Sequence, residues 1–434
     1  MFKVKKIMKI NLTICLLAVI LFSCKKDDNP APILTPIINS LSPTLGGYNT
    51  LLTITGKNFS TNPSDNKVTI NGIAVPVESC TPTTLTVLVP ELIEGTFPVK
   101  VTTTTGSSSE LAFNYEYTVY VIGSEFYKKD SQGYDIYIPK LWKNNVVTPL
   151  TDGSYSANVS AITVVGNDVY VAGTIWSSTG SKITYWKNGV ATSITQGATA
   201  GAQANGILVN GNDVYIVGSE SNGSVNVAKY WKNGIATSLT DGMYSAGAKA
   251  ITIVGTDVYI SGTEMNSSKQ TVAKYWKNGV ATTLSSSSTP YSSADASAIS
   301  VVNNDIYVAG GIMGNSGWSA QYWKNGVATT LPSNGAQSVA VSMNVIQNDI
   351  YVVGTIENSK TNITCWKNGI ATSISDGVYN AYPTAIQVKG KDTFISGFQS
   401  SASYNSVAIY WKNKIPLTLT DGTKGANATG IFVR

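Results

Sequence analysis

The chain contains no histidine, and its only arginine is Arg434 at the last position. The lack of histidine excludes a histidine general base, a histidine metal ligand and a Ser-His-Asp triad. A single arginine cannot form a cluster of guanidinium groups that binds phosphates. Charged residues make up only 13% of the 434 residues, while Gly, Ser, Thr, Asn and Tyr are plentiful. This composition favours β structure with many turns, and we expect neither a metal ion nor a cofactor.

Cysteine is also scarce, with four residues in all. Cys15 lies within the amino-terminal apolar run and Cys24 follows it, while Cys80 and Cys365 fall in different predicted domains. A framework of disulfide bonds is therefore not expected.

The first 23 residues have the pattern of a targeting segment. Four lysines come first, and an apolar run over residues 12–22 follows. Residues 21–24, Leu-Phe-Ser-Cys, resemble the cleavage site of a bacterial lipoprotein signal peptide. The resemblance implies that residues 1–23 are removed and that Cys24 is lipidated, with palmitate as an acyl chain. An uncleaved membrane anchor is the alternative, although the apolar run is short for a span of about 20 residues.

Residues 24–36 form a charged tether that contains proline. Their Lys-Lys-Asp-Asp segment resembles the one that follows the lipidated cysteine in surface lipoproteins of the Bacteroidota, which implies an outer-membrane location facing the cell exterior. A short charged linker is equally typical of any solvated tether. Loss of residues 1–23 removes four of the 30 basic residues and none of the 25 acidic ones, so the formal charge falls to +1. Nucleic acid is therefore not an expected partner, because its phosphates require a clustered basic surface.

Residues 37–117 read as short strands separated by turn signals, which is the pattern of an all-β sandwich. Ser42-Pro43, Gly46-Gly47 and the turn Gly56-Lys57-Asn58-Phe59 resemble an IPT/TIG domain. The resemblance implies an immunoglobulin-like fold that acts as an interaction or spacer module and brings no catalytic residues. A spacer that holds the next domain away from the membrane is the simpler interpretation.

The rest of the chain repeats a Tyr-Trp-Lys-Asn-Gly stretch. Its tryptophans are spaced by 43 to 47 residues, at Trp142, Trp186, Trp231, Trp276, Trp323, Trp366 and Trp411. Each period contains four β-branched or aromatic runs of strand length, and Asn-Gly or Asn-Asp turns separate the first from the second and the third from the fourth. Repeated four-stranded units of this length predict propeller blades.

Counting the strand types indicates how the ring closes. The second, third and fourth types occur seven times, but the first type occurs only six times before the end of the chain. The C-terminal run 428–433 supplies the seventh and completes the blade that opens at Val119. We therefore predict an all-β protein with an Ig-like β-sandwich and a seven-bladed β-propeller over residues 118–434, closed by the C-terminal strand.

The repeated side chains have structural explanations. We interpret the seven tryptophans as packing between blades, and Cys365, which replaces a tyrosine of the repeat, as a small packed side chain. The repeated aspartates before the second strands are explained by turn formation.

The candidate binding residues lie where the chain does not repeat exactly, in the second-to-third and fourth-to-first connections. Variable connections on a rigid scaffold are a usual place for binding. Three glutamates each lie two residues after a glycine that we expect to end the second strand, and Gln399 has the same position in the last blade. The candidates are Glu125, Glu220, Glu264, Gln399, Trp176, Trp318, Tyr155, Tyr244 and Tyr379.

These residues leave three functions open. Aromatic rings beside carboxylates and amides suit a non-catalytic surface lipoprotein that binds a glycan or a protein partner on this face. A glycoside hydrolase would need two carboxylates about 5–10 Å apart, and regular repetition of Glu125, Glu220 and Glu264 does not favour such a site. A structural subunit of an envelope assembly is the third possibility. No catalytic residue is assigned.

Overall fold

The computed structural model describes residues 34–178, 180–195, 201–285, 293–402 and 405–434. The predicted signal peptide, Cys24 and residues 24–33 of the tether lie outside the described residues. Within the described part of the chain, no helix has the length and apolar character needed to cross a membrane.

The first domain is a sandwich of two sheets. One sheet has the order β1-β3-β7-β6 and the other β2-β10-β8-β4-β5, with β9 paired to β8. Alternate residues of the strands point inward, so Leu52, Ile54, Val68, Leu85 and Phe113 are fully buried between the sheets. The strands are β1 Ile37–Ser42, β2 Leu45–Gly46, β3 Leu51–Lys57, β4 Lys67–Ile70, β5 Ile73–Val75, β6 Val77–Thr81, β7 Thr84–Leu88, β8 Gly95–Thr103, β9 Gly106–Ser107 and β10 Leu111–Tyr115, with a 3-10 turn at Pro63–Asp65.

The second domain is a ring of seven antiparallel four-stranded sheets, which we number as blades 1 to 7. In each blade, strands a to d run from the ring axis outward. Successive a strands contact one another around the axis. Every d strand lies at the outer edge, and nearly all of its residues are exposed.

The strands of blades 1 to 3 differ most in the length of strands b and c. Blade 1 consists of β38 Ala426–Val433, β11 Val119–Lys129, β12 Asp135–Lys143 and β13 Val146–Pro149. Blade 2 consists of β14 Ala157–Val165, β15 Asp168–Ser177, β16 Gly180–Lys187 and β17 Val190–Ser193. Blade 3 consists of β18 Gln203–Asn210, β19 Asp213–Ser221, β20 Asn226–Lys232 and β21 Ile235–Ser238.

Blades 4 to 7 repeat this order. Blade 4 consists of β22 Ala246–Val254, β23 Asp257–Met265, β24 Thr271–Lys277 and β25 Val280–Thr283. Blade 5 consists of β26 Ala294–Val302, β27 Asp305–Gly314, β28 Gly317–Lys324 and β29 Val327–Thr330. Blade 6 consists of β30 Gln337–Ile346, β31 Asp349–Glu357, β32 Thr361–Lys367 and β33 Ile370–Ser373. Blade 7 consists of β34 Ala381–Lys389, β35 Asp392–Ser400, β36 Ser406–Lys412 and β37 Ile415–Thr418.

The two ends of the propeller meet in blade 1. The C-terminal strand β38 pairs antiparallel with β11, from Val119 opposite Val433 to Glu125 opposite Ala426. This pairing supplies the a strand that the start of the propeller lacks, and the predicted fold class is confirmed.

Each a strand carries a β-bulge near its middle, at residues 160, 205, 249, 297, 341, 384 and 429. The strand-b residue opposite every bulge is a glycine, because a side chain there would overlap a carbonyl oxygen of the a strand. In blade 4, for example, a Cβ on Gly262 would overlap the Gly247 carbonyl. The prediction that these glycines end the b strands is wrong. The strands continue for at least three residues past them.

The repeated tryptophans pack between blades, as the sequence indicated. All seven are at most 2% exposed. Trp186 of blade 2 shares a cluster with Tyr120 and Ile122 of blade 1. Cys365 is buried as well, and burial raises the pKa of its thiol to about 11.

One face of the ring is formed by the a–b and c–d turns, and we call it the turn face. There, Asp168 accepts hydrogen bonds from Lys187 and Asn188, each at 2.7 Å. The same Asp-Lys-Asn clamp recurs in blades 3 to 6. The bonds from Lys187 and then Asn188 hold the pKa of Asp168 below its usual range. These aspartates therefore have a structural role, because they stabilise the turns.

The sandwich domain packs against the turn face at blades 7, 1 and 2. In blade 7, Lys412 turns away from the clamp and pairs with Glu94 of the sandwich at 2.6 Å. Tyr117 packs edge-on against Phe394 with ring centroids 5.8 Å apart, and Arg434 lies 3.9 Å over the Tyr48 ring. The b–c and d–a connections form the opposite face, which we call the loop face.

The chain enters the sandwich far from this contact. Ile37 at the start of β1 pairs with Lys57, whereas the other end of β3, at Leu51, adjoins Asn49, which hydrogen-bonds Asn167 of the propeller at 2.9 Å. The turn face therefore lies between the amino-terminal end of the sandwich and the loop face.

Candidate functional site

The three glutamates proposed as ligand-binding residues lie on b strands rather than in loops. Each pairs with a lysine of the neighbouring c strand. Lys229 Nζ lies 2.7 Å from Glu220, Lys274 Nζ lies 2.5 Å from Glu264, and Lys140 pairs with Glu125. The three carboxylates are only 15–16% exposed. Their charge is therefore largely offset within their own blade.

The other blades show that glutamate and lysine occur together. Where the b strand carries Ile175, Ile312, Ile356 or Gln399 in place of glutamate, the c-strand position two residues before the tryptophan carries Thr184, Gln321, Thr364 or Ile409 in place of lysine. This joint replacement indicates a pairing within the blade. Gln399 likewise lies on strand β35, opposite Ala381 and Val407.

The predicted tyrosines lie in equivalent d–a loops. An aspartate begins each loop and accepts a hydrogen bond from the backbone N–H two residues on, as Asp152 does from Ser154 at 2.9 Å. The loops at Tyr244 and Tyr379 have the same turn, and Lys424 takes the tyrosine position in the fourth such loop. Tyr155 is the most exposed of the three tyrosines, at 54%.

A cleft of about 330 Å³ opens on the loop face between blades 1 and 2. Two aromatic side chains, Trp176 and Tyr137, line it. Its polar lining comes from Ser124, Ser156, Asn158, Ser406, Asn427 and Thr429. Among the described residues that line it, none carries a formal charge.

Asn158 and Asn427 occupy the same position on the a strands of the two adjoining blades. The Oδ1 of Asn158 accepts a hydrogen bond from the Thr174 N–H at 3.2 Å, and the Oδ1 of Asn427 accepts one from the Ser124 N–H at 3.3 Å. These bonds orient both carboxamides and leave the two Nδ2 groups without a protein partner in the described part of the chain. Both asparagines line the cleft, so their Nδ2 groups are candidate neutral donors beside its two aromatic rings.

Exposed aromatic residues concentrate around this cleft. Six aromatic side chains of the described residues are at least 36% exposed, and all six lie on the loop face. Five belong to blades 1 and 2 or the loop between them, at Tyr127, Tyr134, Tyr137, Tyr155 and Trp176, and the sixth is Tyr244. Tyr127 also packs against Gly153, which ties the hairpin of blade 1 to the loop that carries Tyr155.

Trp176 and Trp318 are not brought together. Trp318 lies on β28 of blade 5, where it is partly buried over Gly311, and it does not line this cleft. Tyr137 and Tyr127 were not predicted from the sequence. The signal for them was the length of the blade 1 hairpin and the three tyrosines within it.

A second cleft, with a volume of about 460 Å³, lies at the equivalent position between blades 3 and 4. Its residues differ in chemistry. Met265 stands where the first cleft has Trp176, and Asn226 stands where it has Tyr137. This cleft provides an internal comparison for the first one.

Neither cleft has the donor set of a metal site. No group of three or more Cys, Asp or Glu side chains that could hold a metal ion occurs within the residues that the structure describes. The residues that line the first cleft are suited to ring stacking and hydrogen bonding.

The sandwich geometry agrees with a comparison to known families. Residues 36–117 match the IPT/TIG domain family. We refer to this part as the TIG domain from here on. No curated protein matches this chain.

Several solved structures are similar over most of the chain. A protein of unknown function from Bacteroides thetaiotaomicron is 14% identical with a TM-score of 0.44, over 88% of this chain and 99% of that one. An auxiliary nutrient binding protein from the same species is 14% identical with a TM-score of 0.33, over 83% and 95%. The β-propeller domain of the Trilobed protease from Pyrococcus furiosus is 10% identical with a TM-score of 0.43, over 71% and 95%. At these TM-scores the likenesses assign neither a ligand nor an activity.

Proposed function

We propose that the protein is a non-catalytic, lipid-anchored surface module that binds a glycan in the cleft between blades 1 and 2. The concentration of exposed aromatic side chains around this cleft carries the proposal. The apolar face of a sugar ring stacks on an aromatic ring, and its hydroxyl groups exchange hydrogen bonds with amides and hydroxyls. Trp176 and Tyr137 supply the rings, while Asn158 and Asn427 supply oriented donors.

The arrangement of the domains supports this role. The TIG domain contacts the turn face, so the loop face is the face of the propeller that it leaves open. The chain enters the TIG domain at the end remote from the propeller. A lipid on Cys24 would therefore place the TIG domain between the membrane and the propeller, with the cleft pointing outward.

A glycoside hydrolase is less well supported. It needs two carboxylates on either side of one sugar linkage, and one of them must act as an acid. Glu125, Glu220 and Glu264 lie in three separate blades, each paired with a lysine. No carboxylate is among the described residues that line the cleft.

The glycan proposal predicts a loss of binding when the rings are removed. On a glycan array with the full chain in detergent, we expect hits whose affinity falls about fivefold or more in the Trp176→Ala variant, since stacking contributes about 1 kcal/mol or more. A similar loss is expected for Tyr137→Ala. Affinities from isothermal titration with the best array hit provide the measurement.

The second cleft supplies the control. Met265→Ala changes the position equivalent to Trp176 and should leave the affinity unchanged. Equal losses in both variants would contradict this placement of the site. If no glycan binds, the propeller face must be assigned to a protein partner. Release of sugar product would favour the hydrolase.

Lipidation of Cys24 has a separate test. Cells grown with labelled palmitate should incorporate the label into this protein, and the Cys24→Ala variant should lose it completely. A matched Cys15→Ala variant should keep the label, because Cys15 lies within the predicted signal peptide. Label that persists in Cys24→Ala would contradict the anchor.

A further inference from the structure

The cleft between blades 1 and 2 is polar but carries no formal charge in its described lining. A charged ligand group loses water when it enters such a site, and only an opposite charge or several strong hydrogen bonds can compensate. Its rings and amides instead match hydroxyl groups and the C–H face of a sugar.

Resting on the proposed function, we infer that the cleft selects uncharged glycans over those that carry carboxylate or sulfate groups. The two oriented carboxamides are central to this selection. Each Oδ1 accepts a backbone N–H, and both residues line the cleft, so each Nδ2 can act as a neutral donor to a hydroxyl or ring oxygen. Neither amide brings a positive charge that would favour an acidic sugar.

Two lysines near the cleft have to be considered. Lys128 on β11 lies 5.2 Å over the Tyr127 ring, and Lys424 lies in the loop before β38. Lys424 is exposed and directly precedes Gly425, which lines the cleft. Asp421 lies in the same loop, and its pKa is lowered by hydrogen bonds from Thr423 and, to a smaller extent, by the charge of Lys424. Asp152, in the equivalent loop on the other side of blade 1, adds a second carboxylate. The rim therefore carries both signs and does not favour anions.

The ion pairs of the blades do not change this balance. Lys140 of blade 1 pairs with Glu125. Lys249, on the a strand of blade 4, lies 2.5 Å from Asp295 and belongs to the second cleft. In both cases the charge has a partner of opposite sign within the propeller.

The test compares two sets of oligosaccharides by isothermal titration against the full chain in detergent. Neutral gluco-, manno-, xylo- and galacto-oligosaccharides of four to six residues form one set. Oligogalacturonides and chondroitin sulfate fragments of the same length form the other. We expect the tightest neutral ligand to bind at least about tenfold more tightly than any acidic one.

Isosteric variants test the role of the amides. Asn158→Asp keeps an oxygen for the Thr174 N–H but replaces the donor with a negative acceptor, so neutral-ligand affinity should fall about tenfold or more. Gln203→Glu makes the same change at the equivalent position of blade 3 and should have no effect. Lys424→Gln should also leave neutral binding unchanged. Thermal unfolding of each variant identifies any general loss of structure.

The outcomes separate the two proposals. Acidic fragments that bind as tightly as neutral ones would overturn the selection while leaving glycan binding intact. Loss of that acidic binding in Lys424→Gln would assign it to the lysine at the rim. Unchanged neutral binding in Asn158→Asp would overturn the role of the amides. If neither set binds, the proposed glycan function fails and the selection fails with it.

Discussion

Replacing Gly262 by alanine is expected to lower the free energy of unfolding by about 3 kcal/mol or more, the upper range for overpacking a close-packed site. A Cβ at this position overlaps the carbonyl oxygen of Gly247, which belongs to backbone and cannot rotate away. Relief would require the bulged a strand to move off the b strand and break hydrogen bonds of blade 4. Urea-induced unfolding, followed by tryptophan fluorescence, provides the measurement.

Gly247, whose carbonyl oxygen the added methyl group would overlap, supplies the control. Apart from Gly247 itself and its two chain neighbours, no residue has an atom within 4 Å of the position that a Cβ on Gly247 would occupy. Other blades carry Asn158, Asp295 or Tyr382 at this position. Gly247→Ala should therefore change the unfolding midpoint very little. A midpoint for Gly262→Ala that equals the one for Gly247→Ala would show that the bulge adapts without cost.

Deletion of residues 426–434 is expected to prevent formation of the closed ring. The deletion removes the a strand of blade 1, including the buried side chains Ile431 and Val433, each of which contributes about 1.5–3 kcal/mol by burial. It also leaves β11 as an unpaired edge beside an open core, which promotes aggregation. The expected result is a chain that is insoluble or that unfolds at much lower urea concentration.

The control is the removal of Arg434 alone. It distinguishes the effect of losing β38 from the effect of losing the terminal residue. That variant keeps β38 and loses the contact of Arg434 with the Tyr48 ring. It should fold with a closed ring, as judged by circular dichroism and resistance to protease. If both deletions destabilise the protein equally, the closed ring is stabilised by the contact between the two domains rather than by the pairing of β38.

The architecture could be predicted because it is encoded by repetition. Seven tryptophans at nearly constant spacing, five of them followed by an Asn-Gly turn, fix the number of blades. The missing first strand identifies the role of the C-terminal run. These signals are local in sequence and occur many times. The position of each tryptophan in the interior follows from a scaffold in which both faces of a blade are covered.

The candidate cleft was predicted only in part. Trp176 and Tyr155 were among the candidates, but the cleft joins Trp176 to Asn427 from the last strand, and only ring closure brings that residue beside Asn158. The glutamates were predicted in loops because a glycine usually interrupts a strand. The bulge that requires this glycine lies on another strand and leaves no local pattern. Their lysine partners could have been found, since each precedes a repeat tryptophan by two residues.

The way β11 is held has a mechanical consequence. If a ligand holds the loop face while the lipid holds the other end of the chain, tension reaches the propeller through Tyr117 and pulls along β11. That strand lies between β12 and β38 and is antiparallel to both. The load therefore acts in shear on two hydrogen-bond ladders at once, so many bonds must break together before the strand can slide. A protein tethered in flowing fluid would resist extension at the point where its ring is closed.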